Sequence, residues 1–245
     1  MSALLELHDV SKRFGGLMAV GHVSFALEKG EILGLIGPNG AGKTTIFNLV
    51  NGYFRPTSGE IRFRGERIDK LRPYDVCKRG LARTFQVVKP LARLTVLDNV
   101  MVSAFLHTRD REAARAIAME ATAFTEMEAW RDRVAGSLPL GMRKRLEMAR
   151  ALATRPELLL LDENFAGLNP SEVDKTIEIV KKIHQSGITI LIIEHNMRVI
   201  MSISHRLVCI NYGQKIAEGT PREVRRNREV IDIYLGQDHA EAAEY

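Results

Sequence analysis

One glycine-rich segment of this 245-residue chain has the residues that hold phosphate groups. Residues 37–45 read GPNGAGKTT and fit the pattern G-x-x-x-x-G-K-[ST]. They follow the apolar run 32–36 and precede Ile46, Leu49 and Val50, whose spacing predicts a helix. Glycines let the backbone curl so that N–H groups face phosphate oxygens, and a helix N-terminus adds partial positive charge. The alternative is a chance glycine-rich turn, and the flanking strand and helix argue against it.

The type of each residue in this segment assigns it a role. Lys43 is expected to reach the β- and γ-phosphates, and the Thr44 hydroxyl to ligate Mg²⁺. The predicted nucleotide-binding residues of the segment are Gly37, Pro38, Asn39, Gly40, Ala41, Gly42, Lys43, Thr44 and Thr45. Kinases, GTPases and motor ATPases all use such a loop, so residues further along the chain must identify the reaction.

Two acidic residues, Asp162 and Glu163, directly follow the apolar run 158–161. Ligands of open α/β sheets bind at the carboxyl ends of the parallel strands. We therefore expect Asp162 to hold Mg²⁺ through a water molecule, and Glu163 to orient and deprotonate the attacking water. For the two acids alone, a strand ending in a solvated turn is an equal alternative. The upstream phosphate loop favours the catalytic interpretation.

A histidine ends the next apolar run in the same way. Residues 188–193 are followed by Glu194 and His195, so His195 is placed to donate a hydrogen bond to the γ-phosphate. His184 and His205 have no such placement and are interpreted as ordinary structural histidines.

Short strand-like runs alternate with helical ones, which predicts an α/β fold with a mostly parallel sheet. Residues 158–161 and 188–193 are predicted to be buried central strands. Between them a helix is expected to begin at Pro170 and to end near Gly187. Its predicted apolar face is Val173, Ile177, Val180 and Ile183.

The remainder of the chain predicts an antiparallel flank and an inserted helical subdomain. Residues 4–10, 23–28 and 60–64 read as strands without long helices between them, and residues 87–150 read as mainly helical. One helix face there is predicted to be Ala113, Ile117, Ala121 and Phe124. The expected organisation is a single domain over residues 1–236. Its α/β core is 1–86 with 155–236, its helical subdomain is 87–154, and a disordered tail follows at 237–245.

Composition excludes few functions. The chain is 45% hydrophobic and 27% charged, as in ordinary globular proteins, and its net charge of +5 fits a mildly basic enzyme as well as a nucleic-acid or membrane surface. No secretory signal or apolar run of roughly 20 residues is evident. The two cysteines have no metal-binding spacing, and Cys209 is predicted to be a buried apolar residue in a reduced cytosol.

The order of these motifs resembles the nucleotide-binding subunit of ABC transporters over essentially the whole chain. The resemblance implies ATP and Mg²⁺ as ligands, and it implies that Phe14, in Phe14-Gly15-Gly16, stacks on adenine. It also implies that Gln86 touches Mg²⁺ and the attacking water, and reports to the membrane subunits. Residues 37–45 resemble the Walker A loop, Asp162-Glu163 the Walker B pair, Ala166-Gly167-Leu168-Asn169-Pro170 the loop that crosses to a partner subunit, and His195 the switch histidine.

The signature motif departs from the pattern of that family. The usual L-S-G-G-Q is replaced by Leu138, Pro139, Leu140, Gly141 and Met142. In the family, the serine hydroxyl and the glycine N–H groups bind the γ-phosphate of ATP held by the opposite subunit, whereas proline has neither a hydroxyl nor an N–H. The expectation is slow hydrolysis as a homodimer, or pairing with a second, more regular ATPase subunit. Asn164, where proline is usual, is a milder departure.

Among the subfamilies, the sequence is most similar to the ATPase subunits of branched-chain amino acid importers. The similar segments are 14–20, 37–49, 82–86 and 166–170. The resemblance implies a second ATPase subunit, either a copy of this chain or a paralogue, two integral membrane permease subunits, an extracytoplasmic binding protein, and a peripheral position on the cytoplasmic face of the membrane. Residues 91, 94, 96 and 97 are expected to contact a permease loop, with subdomain core as an equal alternative.

Other functions remain open at this point. Related systems for urea, short amides, aromatic acids and lipopolysaccharide share many of these sequence motifs, so an exporter ATPase is one alternative. A regulatory subunit that binds ATP but turns it over slowly is another. A soluble ABC ATPase acting on DNA or the ribosome is disfavoured because the chain has no sustained heptad run, and no nucleic acid is expected. A simple P-loop kinase would not need Asp162, Gly141 and His195 together.

Overall fold

The computed structural model describes residues 3–233, which divide into two compact units. The first consists of residues 3–73 and 191–233, and the second of residues 74–190. The predicted tail at 237–245 lies outside the described residues, and the domain boundaries given above stay a prediction.

The helices and strands alternate along the chain as expected for an α/β protein. In chain order they are β1 (Ala3–Phe14), β2 (Leu17–Glu28), β3 (Ile32–Ile36), α1 (Lys43–Val50), β4 (Ser58–Phe63), β5 (Glu66–Arg67), α2 (Pro73–Lys78), β6 (Leu81–Arg83), α3 (Val96–Ala104), α4 (Arg111–Phe124), α5 (Leu140–Leu152), β7 (Leu158–Asp162), α6 (Pro170–Gln185), β8 (Thr189–Ile193), α7 (Met197–Ile203), β9 (Arg206–Asn211), β10 (Gln214–Gly219) and α8 (Pro221–Val224).

The first unit contains the predicted antiparallel flank. Its strand order is β2-β1-β4-β5, and β1 pairs antiparallel with both β2 and β4. Alternate residues such as Leu5, Leu7, Val23 and Phe25 are buried, which is the pattern of a sheet with one covered face. The prediction is confirmed, although β1 and β2 are longer than the runs 4–10 and 23–28.

The first unit also contains strands of a second sheet, which lie in the order β10-β9-β3-β8. β3 pairs parallel with β9, and β9 pairs antiparallel with β10. Every residue of β3 is buried, as expected for a strand covered on both faces. Cys209 in β9 is fully buried, as predicted. This strand set carries the glycine-rich loop directly after β3.

The second unit contains strands in the order β8-β7-β6, with β6 parallel to β7. Helices α3, α4 and α5 surround an apolar cluster that includes Val100, Ile117, Leu138 and Leu146. Parallel strands, the antiparallel flank and these helices confirm the predicted fold class. Among residues 3–233, no helix is both long and apolar enough to cross a bilayer.

Two predicted helix faces are displaced in the structure. The buried face of α4 is Ala114, Ile117, Ala118 and Ala121, with Ala113 and Phe124 only partly buried at its edge. On α6, Ile179 is buried while Ile177 is only partly buried. Several apolar residues share a turn in each helix, so the spacing alone could not decide which of them faces the core.

The predicted permease-facing set, Leu91, Leu94, Val96 and Leu97, does not act as one surface. Val96 and Leu97 are buried in α3 and belong to the apolar cluster. Leu91 and Leu94 are exposed, at 41% and 38%. Val96 and Leu97 are therefore core residues, as in the alternative interpretation. Only Leu91 and Leu94 remain available to a partner.

Candidate functional site

The glycine-rich loop forms a closed turn around the amine of Lys43. This side chain is only 5% exposed, and its Nζ donates to the carbonyl oxygens of Gly37 at 2.6 Å and Pro38 at 2.8 Å. Gly42 caps α1 without a side chain, so no side-chain hydrogen bond covers the first turn of that helix. An ammonium group and open helix N–H groups at one loop are the arrangement that binds phosphate.

Two glycines of the loop cannot be replaced without distortion. Gly37 has a φ of 146°, and a Cβ there would lie 2.0 Å from the carbonyl oxygen of Ile210. Gly42 has a φ of 105°, and its Cβ would lie 2.6 Å from the carbonyl oxygen of Ala19. These positions need glycine because the backbones of two other strands approach the loop closely.

Backbone contacts anchor the loop to the sheet beneath it. The N–H of Gly213, in the turn between β9 and β10, donates to the carbonyl of Ala41 at 2.9 Å. Cys209 pairs with Ile36 at the end of β3. Burial raises the pKa of the Cys209 thiol to about 11, although the Lys43 ammonium opposes the shift. The thiol therefore stays protonated and adds no negative charge beside Lys43.

The other predicted residues of the first unit lie at its surface. Phe14 is 40% exposed, with its ring in an edge contact with Phe54 at 5.1 Å and the Lys12 amine 5.0 Å from the ring centre. Thr44 is exposed in the first turn of α1. His195 is exposed two residues beyond β8, the strand next to β3 in the sheet, and Asn196 behind it caps α7. The proposed adenine-stacking role of Phe14 stays a prediction.

In the second unit, β6 pairs residue by residue with β7, and the segments that follow the two strands meet through their side chains. The register places Arg83 opposite Leu160. Gln86 then donates from Nε2 to Oε2 of Glu163 at 2.5 Å. The Thr84 hydroxyl donates to Oδ1 of Asn164, also at 2.5 Å. Gln86, Glu163 and Asn164 were singled out from the sequence, but the sequence did not indicate these hydrogen-bond partners.

Asp162 is held in a buried ion pair that leaves one of its oxygens open. Its carboxylate is 2% exposed, and Oδ2 accepts from Nη2 of Arg83 at 2.7 Å. Within the described residues, Oδ1 is buried without a hydrogen-bond partner. A buried carboxylate oxygen without a partner fits a hard cation or its bound water, so the residues present suit Mg²⁺.

Glu163 has a left-handed backbone with a φ of 50°, unusual for a residue other than glycine. The buried Lys144 of α5 donates from Nζ to the Glu163 carbonyl oxygen at 2.8 Å. Gln86 holds the Glu163 carboxylate, and Lys144 holds the main chain of the same residue. The two hydrogen bonds together fix the position of this acidic side chain. Arg83 and Lys144 are the residues that sequence reasoning missed. Arg83 lies inside the segment 82–86 and Lys144 lies two residues beyond the signature residues 138–142, but neither position in the sequence indicates the acidic pair as its partner.

The signature residues divide between the core and the surface at the start of α5. Pro139 is the N-cap residue and makes no side-chain cap, and Leu140 beside it is exposed. Leu138 is buried and Met142 packs against the apolar cluster, so both contribute to the core of the second unit. Gly141 is buried, and a Cβ there would lie 2.6 Å from Oε1 of Glu172. A side chain at position 141 would therefore require the Glu172 carboxylate, which accepts from the N–H of Asn169, to move.

Comparisons with known proteins agree with this geometry. A family model described as "ABC transporter" matches residues 20–166, and one described as "Branched-chain amino acid ATP-binding cassette transporter" matches residues 214–240. The chain is 40% identical to the high-affinity branched-chain amino acid transport ATP-binding protein BraF of Pseudomonas aeruginosa, over 96% of this chain and 98% of that protein.

Two solved structures extend the agreement to the fold. The ADP conformation of MJ1267, an ATP-binding cassette of an ABC transporter, superposes with a TM-score of 0.88 at 30% identity, covering 96% of this chain and 100% of that one. A dimeric post-hydrolysis state of the ATP-binding cassette MJ0796, bound to ADP and Pi, gives 0.80 at 25% identity, covering 89% and 99%. The chain therefore belongs to the ABC transporter family and is an ATPase of that family.

Proposed function

We propose that this chain is the ATP-hydrolysing subunit of an importer for branched-chain amino acids or a closely related small solute. The observation that carries the solute class is the match of residues 214–240 to the branched-chain amino acid cassette model, because the general cassette model stops at residue 166. The likeness to BraF over nearly the whole chain supports the same class. The solute is proposed to cross the membrane through separate membrane subunits, so no residue here is expected to contact it on its transport path.

The chemistry proposed is attack of water on the γ-phosphate of ATP. Lys43 and the N–H groups of its loop bind the phosphates, and Phe14 contacts the adenine. Glu163 accepts a proton from the attacking water while Gln86 orients its carboxylate, and His195 donates to the γ-phosphate. Thr44, Gln86 and Asp162 would hold Mg²⁺, which supplies positive charge against the phosphate oxygens.

Transport is proposed to follow from closure of two ATPase subunits around shared ATP. Each subunit presents the signature segment 138–142, in which Pro139 and Leu140 are exposed, to the ATP held by the other, so the γ-phosphate is shared between the two subunits. Hydrolysis removes that contact, and the pair opens. The proposed partners are a second ATPase subunit, which is a copy or a paralogue, two permease subunits, and indirectly an extracytoplasmic binding protein. The dimeric state of MJ0796 with ADP and Pi supports this pairing.

Pro139 is expected to limit the rate of this reaction. Replacing it with serine adds a hydroxyl and an N–H at the start of α5, and we expect the steady-state ATPase rate to rise about tenfold. One charge-assisted hydrogen bond is worth ~1.5–3 kcal/mol, and roughly 1.4 kcal/mol changes a rate tenfold. Phosphate release measures the rate. Pro139→Ala is the matched control, because it restores the N–H without the hydroxyl. If neither variant changes the rate, Pro139 does not limit turnover.

Co-purification from membranes tests the proposed solute class. A tagged chain, extracted in mild detergent from its native host, should bring two permease subunits and an ATPase partner. Vesicles containing that complex should take up leucine, isoleucine or valine only with ATP and the binding protein present. Lys43→Ala in the same complex is the control for ATP dependence. Recovery of an export apparatus, or uptake confined to solutes without a branched aliphatic side chain, would contradict the proposal.

A further inference from the structure

A surface pocket of the second unit lies outside every residue assigned to nucleotide chemistry. It has a volume of about 370 Å³ and is bordered by α4, the C-terminal end of α5, the residues entering β7, and the residues between α6 and β8. Its lining includes Ile117, Glu120, Phe124, Leu152, Arg155 and Ile188. This volume falls within the range of small-molecule sites.

The floor of the pocket is apolar and incompletely covered. Ile117 belongs to the apolar cluster of the unit, whereas Phe124, Leu152 and Ile188 are only half-buried. Covering such side chains with an apolar group removes hydrocarbon from water, which is favourable in proportion to the area buried. The floor therefore favours a ligand with a short aliphatic or similarly apolar portion.

Two side chains of opposite charge border this floor. Arg155 and Glu120 are both exposed, and neither side chain forms an ion pair or hydrogen bond with another residue in 3–233. The Ser186 end of α6 also lies at the pocket, and the C-terminal end of a helix favours a cation. One positive and one negative group beside an apolar floor match a zwitterion with an apolar side chain.

The backbone at Arg155 has a left-handed conformation. Arg155 has a φ of 46° just beyond the end of α5, where its N–H donates to the carbonyl of Leu152 at 2.8 Å. Left-handed residues just past a helix end are usually glycine, because a Cβ is unfavourable there. Glycine can therefore replace Arg155 without backbone strain, so a glycine variant tests the guanidinium itself.

We propose that this pocket binds an α-amino acid with an apolar side chain. The carboxylate pairs with the Arg155 guanidinium, the ammonium pairs with the Glu120 carboxylate, and the side chain covers Phe124, Leu152 and Ile188. The idea that this ligand is the imported product rests on the proposed function, whereas its chemical class rests on the pocket alone. The occupant would bridge α5, which begins at the signature residues, and the segment entering β7, which ends at Asp162.

Calorimetric titration of the full-length chain with L-leucine tests the proposal. Saturable binding at millimolar concentrations is expected, with L-isoleucine and L-valine binding comparably. Two analogues each lack one charge: 4-methylpentanoate has no ammonium, and isoamylamine has no carboxylate. Each should bind at least tenfold more weakly than leucine, because one of the two ion pairs is lost. An absence of saturable leucine binding would overturn the proposal, and so would equal binding of either analogue.

Variants at one position separate the pocket from general folding. Arg155→Gly should lower leucine affinity at least tenfold without lowering the melting temperature, because glycine suits the left-handed backbone. Arg155→Lys should retain part of the affinity, and Arg115→Met, on the exposed side of α4, should leave it unchanged. Leucine binding that is insensitive to Arg155→Gly would refute the assignment. Binding measured on the isolated chain does not depend on transport. Leucine uptake by the complex without leucine binding by the chain would contradict only the pocket. Leucine binding by the chain without leucine uptake by the complex would contradict only the proposed solute.

Discussion

Replacing Glu163 with glutamine is expected to lower the rate of ATP hydrolysis by about 10²- to 10⁴-fold while ATP binding persists. Glutamine has nearly the same shape, but it cannot accept the proton of the attacking water. Gln86 and Lys144 hold the side chain and the main chain of residue 163, so the variant should keep the local geometry. Phosphate release measures the rate, and equilibrium binding of labelled ATP measures affinity.

The same variant should accumulate a paired state that depends on ATP. With hydrolysis blocked, the γ-phosphate remains shared between two subunits, so size-exclusion chromatography with ATP should show a dimer of this chain or a complex with its sister subunit. Glu178→Gln, on an exposed position of α6, is the matched control and should turn over normally. Hydrolysis at the wild-type rate would remove Glu163 from the reaction. A monomer under all conditions, with the sister subunit present, would contradict the shared-phosphate mechanism.

Replacing Lys43 with alanine is expected to weaken ATP binding by roughly 10- to 150-fold. The lost interaction is a charge-assisted hydrogen bond worth ~1.5–3 kcal/mol, and its loss also frees the Gly37 and Pro38 carbonyls that the amine now holds together. Arginine at this position should not restore binding, because the planar guanidinium does not fit a site where the lysine is 5% exposed. Calorimetry with ATP and Mg²⁺ measures the affinity.

A matched lysine separates this effect from a general change of charge. Lys70→Ala removes an exposed lysine of the same unit, and its ATP affinity should equal that of the wild type. Thermal melting of Lys43→Ala should show a folded protein, so that lost binding is attributable to the phosphate loop. Unchanged ATP affinity in a folded Lys43→Ala variant would contradict the assignment of residues 37–45 as the phosphate site.

The features that sequence alone determined are those encoded in contiguous residues. The loop 37–45 places its glycines, lysine and threonine within one turn, so local backbone chemistry is sufficient to predict phosphate binding. The buried runs before Asp162 and Glu194 likewise predicted central strands, because a continuous apolar run is characteristic of strands covered on both faces. The antiparallel flank was predicted because the runs 4–10, 23–28 and 60–64 read as strands without long helices between them.

Tertiary structure alone decided which distant side chains meet. The register of β6 with β7 brings Arg83 to Asp162 and Gln86 to Glu163, and no local pattern fixes the register of strands so far apart in the chain. The packing of α5 likewise brings Lys144 to the carbonyl of Glu163. Val96 and Leu97 are buried whereas Leu91 and Leu94 are exposed, although all four are apolar and close together in the chain. The chemistry of a single loop depends on neighbouring residues, which the sequence shows directly. The contacts between distant side chains, and the burial of each residue, depend on long-range packing.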